Sequence, residues 1–148
     1  MTSAVHCARF RRGSTLVEFS LSAFLLVMMM LSVFEFTRML LVYTTVANAA
    51  RAGARYAIVH GGTRTGSGID GPSGTGNVTQ VQTVVRNFTS TGALNVTNVT
   101  VNVTYPTDNL PGSVVVVQAV YPYDPFMGWF TQLSGLNLQS TTRGVITF

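Results

Sequence analysis

The chain has 148 residues, of which 9% are charged and 47% apolar, and its formal net charge is a modest +4. That length holds one small domain, and a charged fraction far below the usual level of about a quarter argues against a freely soluble protein. All nine basic residues are dispersed arginines with no basic stripe interleaved with aromatics, which excludes the usual nucleic-acid footprint, and a lone cysteine, Cys7, excludes an internal disulfide.

The N-terminal leader carries Arg9, Arg11 and Arg12 and no acid, and residues 19–34 that follow are uncharged and mostly apolar. As helix that run covers about 24 Å, and extending it back to residue 14 gives about 32 Å. The longer span matches a hydrocarbon core of about 30 Å, provided Glu18 is tolerated within it. Residues 14–34 therefore read as one membrane span. A cleaved secretory signal is the alternative, but its best small-x-small site, Ala47-Asn48-Ala49, lies well beyond the apolar run and inside continuing helix. Arg38 on the far side follows Glu35 by three residues, so the acid-free leader sets the N-terminus inside and the remainder outside.

Between residues 14 and 59 there is no proline and one glycine, Gly53, which predicts a single helix of about 69 Å ended by His60-Gly61-Gly62. Residues 35–60 are then the extracytoplasmic part of that helix. Phe36, Leu40, Tyr43, Ala47, Ala50, Ala54 and Ala57 follow a four-three spacing along one face. Tyr43, Ala47, Ala50, Ala54 and Ala57 are the residues expected to pack the helix on its own head, because small side chains let another backbone approach. A coiled-coil dimer through the same stripe is the rival.

Residues 61–77 concentrate glycine and read as a flexible loop. They lack the Gly-Lys-Ser or Gly-Lys-Thr of a phosphate loop. In the head, residues 78–148, Val78, Val81, Val85 and Phe88 recur at helical spacing, with Asn77 as N-cap and Gly92 as stop. Val99, Val101, Val103 and Tyr105 alternate with polar residues as a half-buried strand, and Val96 is out of phase, which places a bulge or loop near Thr97. "VVVVQAVYP" reads as a more central strand covered on both sides, "DPFMGWFTQLSGL" as a short helix or compact loop, and "NLQSTTRGVITF" as a last strand. The fold class is α+β: a long N-terminal helix continuing into a small head with a short helix and about three antiparallel strands.

The titratable set beyond the long helix is thin. Asp70, Asp108 and Asp124 each adjoin glycine, proline or asparagine, where turn formation explains them, and no histidines or acids have metal-ligand spacing. The expectation is a protein that is not an enzyme and uses no metal or other cofactor. Five Asn-x-Thr triplets follow from alternating valine with asparagine and threonine in strands.

The stretch "GSTLVEF", residues 13 to 19, resembles the processing site of type IV prepilins, and "FEFTRMLLVYTTVANAARAGARYAIVHG" is similar to the extended helix of the TadE-like family, minor pilins or pseudopilins of the Tad (Flp) pilus system. The resemblance implies a pilin-like arrangement, with leader residues 1–13 removed by a prepilin peptidase between Gly13 and Ser14. It implies that Glu18 pairs with the N-terminal amine of a neighbouring subunit during assembly. Flp pilins have tyrosine after that glutamate, and here Phe19 stands. The partners implied are the peptidase, other pilin or pseudopilin subunits, the Tad secretion machinery and the lipid bilayer of a bacterial inner membrane, with no nucleic acid. An uncleaved single-pass assembly factor is the alternative.

Overall fold

A computed structural model of the chain describes residues 4–74, 76–92, 94–126, 128 and 135–147, with all their side chains except those of residues 4–12 and 69. Helix α1, Ala4–Val59, is unbroken to the expected end. The chain forms two compact units, Met1–Arg38 and Met39–Phe148.

Among the described residues the first unit is helix alone. From Gly13 onward its apolar window has a mean hydropathy of 2.2, and none of that window is buried by protein. Ser20 Oγ donates to Val17 O at 2.9 Å, and Ser32 Oγ donates to Met28 O at 2.9 Å. The hydroxyls are thus satisfied within the helix, which makes them tolerable in hydrocarbon.

The second unit contains the rest of α1, helix α2 (Thr79–Thr91), and strands β1 (Thr100–Thr104), β2 (Val114–Tyr123) and β3 (Leu136–Val145). The sheet is antiparallel in the order β1-β2-β3. Its register sets Val101 opposite Ala119, Val103 opposite Val117, and Val117 opposite Thr142. Strand β2 is central, as its apolar run predicts. Only one of its faces is closed: Val115, Val117, Ala119 and Tyr123 are buried, whereas Val114 is exposed and Val116 and Val120 are half-buried. Among the described residues both helices lie against that one face, where Val46, Val81, Val85, Val115, Val117 and Ile146 are sealed from solvent. Each such aliphatic side chain contributes about 1.5–3 kcal/mol relative to exposure.

Helix α2 differs in detail from its periodicity. The N-cap is Val78, without a side-chain cap bond, so Asn77 lies one residue outside. The buried line is Val81, Val85 and Thr89, and Phe88 is 43% exposed. Three residues at four-residue spacing define a narrower stripe than the sequence offers, and Thr89 fits because its Oγ1 donates to Arg86 O at 2.7 Å. The out-of-phase Val96 belongs to a 3-10 turn, Val96–Asn98, capped by the Asn95 side chain accepting from Thr97 N. The helix or loop expected around residues 124–136 falls mostly outside the described residues.

Candidate functional site

Three places in the chain are candidates: the N-terminal motif, the seam joining α1 to the head, and the glycine-rich loop.

Gly13, Ser14 and Glu18 are helical and exposed. A Cβ built on Gly13 would meet nothing within 4 Å. Glycine in a helix interior costs about 1 kcal/mol relative to alanine, and no close contact or left-handed backbone requires it here. Ser14 and Glu18 are four residues apart, hence one turn apart on the same face. Glu18 sits among Leu16, Val17, Phe19 and Leu21, all well exposed, Phe19 to 73%. It has no ion pair among the described residues, while Glu35, at the far end of the apolar run, lies 4.0 Å from Arg38.

At the seam, Ala50, Ala54 and Ala57 lie in the core and Ala47 is buried. Tyr43 is 46% exposed, and Leu40 and Phe36 face outward with it. The buried line instead runs through Val42, Val46, Ala49 and Gly53 into the same alanines. Near the head the buried face is wide enough to hold both adjacent lines, but at its narrow end one residue is 100° of helix, so Val42 is turned inward and Tyr43 outward.

Gly53 is where three elements meet. A Cβ there would collide with Val85 Cγ2 and stand 3.4 Å from Val117 Cγ1 and 3.5 Å from Val81 Cγ1. Of the two glycines in α1, Gly53 therefore marks the close approach of the helix to α2 and β2. The bulk of valine on three sides leaves room for a hydrogen only.

The end of α1 is finished by distant segments. His60 N donates to Tyr56 O at 3.1 Å, and the His60 ring stacks on Tyr56 with centroids 3.9 Å apart. Thr147 N donates to Ile58 O at 3.0 Å, and Ser73 N and Oγ donate to His60 O at 2.7 and 2.8 Å. Carbonyls that a helix C-terminus leaves unpaired are thus satisfied by a residue just beyond the last strand and by the loop.

Ser73 is sealed from solvent and ties the glycine-rich segment down. It accepts from Tyr105 Oη at 3.0 Å, and its carbonyl accepts from Asn109 Nδ2 at 3.1 Å. Gly62 and Gly74 pack against the Asn109 side chain so closely that a Cβ on either would overlap it. These glycines serve close approach as well as chain freedom. Burial pushes the Tyr105 hydroxyl above its ordinary pKa, against the lowering effect of the Ser73 bond. Tyr56 is raised as well, by burial first and the Asp70 carboxylate second.

Asp108 accepts from Leu110 N at 3.2 Å and from Ser113 Oγ, which is the turn role its neighbours suggest. No group of three or more histidine, cysteine or acidic side chains gathers among the described residues.

The TadE-like protein family has a model that matches residues 13–55. No curated protein and no solved structure matches the chain.

Proposed function

We propose that the chain, whose residues 13–55 match the TadE-like family, is a membrane-anchored minor pilin or pseudopilin that acts by assembly in a Tad (Flp) pilus system rather than by catalysis. The observation that carries this reading is one uninterrupted helix whose first unit has no protein cover and whose second unit contributes the spine of a folded head. Such a helix needs lipid around its apolar part, or other subunits of similar kind.

In this reading residues 1–13 are a leader, a prepilin peptidase cuts between Gly13 and Ser14, and the head faces the periplasm from a bacterial inner membrane. Gly13 supports the cut because nothing in the fold asks for glycine there. Cutting would make Ser14 the new helix N-terminus, adding a free amine and the positive end of the helix dipole one turn from Glu18. An exposed carboxylate in an apolar belt is costly in a bilayer unless paired, and the amine of a neighbouring subunit is the partner proposed. Ala47, Ala50, Ala54 and Ala57 hold the head on its own helix.

The test is the mass of the mature N-terminus from cells with and without the peptidase. A chain starting at Ser14 only when the peptidase is present is expected, and full-length protein in cells with active peptidase overturns the reading. The second reading, an uncleaved single-pass assembly factor, is favoured by the helix continuing through Gly13 and Ser14 without a break. Glu18→Ala separates them: subunit incorporation fails under the first and is unchanged under the second.

A further inference from the structure

The two edges of the sheet are not protected alike. Strand β1 has five residues, and its outer side is occupied by the Gln82 side chain, whose Nε2 donates to Val101 O at 3.1 Å. Because Val101 turns its carbonyl away from β2, the antiparallel alternation fixes which groups point outward across the whole sheet. With β2 in register on both sides, the even residues of β3 face β2 and the odd residues face the free edge. Thr147 follows that phase, since its N–H reaches outward to Ile58 O. The backbone groups of Asn137, Gln139, Thr141, Arg143 and Val145 have no partner among the described residues.

Strand β3 has ten residues paired to β2 without a bulge, and it contains no proline and no lysine. Edges of that length are ordinarily blunted by such devices because a bare row of N–H and C=O groups is a template for another strand. Here the only charge is Arg143.

We infer that the free edge of β3 pairs with the β3 edge of a second copy of this chain, antiparallel about a two-fold axis at Thr141. That register engages every outward residue: Thr141 faces Thr141, Gln139 faces Arg143, and Asn137 faces Val145, each facing pair exchanging two hydrogen bonds. Moving the axis to Thr142 or Ser140 leaves an outward residue without a partner. Moving it to Arg143 sets two guanidinium groups against each other, and directly opposed like charges are destabilising. In that one register the edge leaves no outward residue unpaired and opposes no like charges, which an isologous interface tolerates. This pairing stands whether or not the leader is cut.

The test uses the full chain in detergent with Cys7→Ser, so that any thiol is an introduced one. Thr141→Cys is expected to give at least tenfold more disulfide-linked dimer than Asn102→Cys on β1, because facing Cα atoms about 5.5 Å apart lie within disulfide range. Gln139→Glu is expected to tighten the dimer severalfold by placing a carboxylate opposite Arg143, and Gln139→Arg to weaken it by a similar factor in a salt-dependent way. Gln139 is exposed, and the bond its side chain accepts from Gln118 Nε2 at 3.3 Å lies on the open surface of the sheet, so both variants keep the head folded. Equal cross-linking at Thr141 and Asn102, or a dimer indifferent to the charge at position 139, overturns the proposal.

Discussion

Replacing Gly53 by alanine sets two known effects against each other. Alanine gains about 1 kcal/mol over glycine in a helix interior. Its Cβ, however, enters space held by Val85 Cγ2, with Val117 and Val81 in contact behind it. Val85 cannot swing away: it is fully buried, and a β-branched side chain in a helix has essentially one χ1 rotamer. Overpacking of this kind costs about 1–3 kcal/mol, so the net loss is about 0–2 kcal/mol. For a head of this size that lowers the melting temperature by about 5 °C per kcal/mol. The assay is thermal unfolding of the full chain in detergent, followed by the near-UV signal of the buried tyrosines. Gly53→Val, with two further carbons and a smaller propensity gain than alanine, is expected to abolish the cooperative transition. Val85→Ala should make room, so that the double variant Gly53→Ala, Val85→Ala loses less than the two single losses together by about 1 kcal/mol or more. A rise in melting temperature for Gly53→Ala, or strict additivity with Val85→Ala, would refute the close-approach reasoning.

Ser73→Ala is expected to cost about 1–3 kcal/mol in the same melts by leaving the Tyr105 hydroxyl without an acceptor, and adding Tyr105→Phe should recover part of that loss. Stability should also fall as pH rises above about 10. Tyr105 and Tyr56 have raised folded-state pKa values, so the unfolded chain loses those protons first, the stabilisation being complete below the ordinary tyrosine value and lost on the way to the raised one. Denaturant midpoints measured across that range should show a shallower decline for Tyr105→Phe. Gly13→Ala should leave the head's melting unchanged, since its Cβ meets nothing, while N-terminal mass analysis shows the leader retained.

Much of the architecture is legible in the residues because it rests on local rules. The absence of proline from 14 to 59 and the His60-Gly61-Gly62 stop define the end of α1, and alternation defines β1 and the run of β3. The N-terminal motif is visible because it is a short sequence pattern joined to an apolar run. Legibility stops where two stripes on one helix are both apolar. Tyr43 and Val42 are equally admissible by periodicity, and only the valine surface of β2 and α2 selects Val42 and Val46. Phe88 and Thr89 make the same point in α2: hydrophobicity favours the phenylalanine, and geometry buries the threonine. Alternation marks Tyr105 as buried, but its partnership with Ser73, and that of Ser73 with Asn109, carried no local signal, because residues this far apart become partners only when the loop folds back toward β1.

The sequence by itself determined the long helix, the apolar span with its lone Glu18, the glycine at position 13 and the antiparallel strands, because each follows from chain periodicity and side-chain chemistry within a few residues. Tertiary structure alone decided which side of α1 faces the head, why Gly53 must be glycine, how the helix end is closed by Ser73 and Thr147, and which sheet edge is left bare. Those features depend on distances between elements, and no local pattern in a chain encodes such a distance.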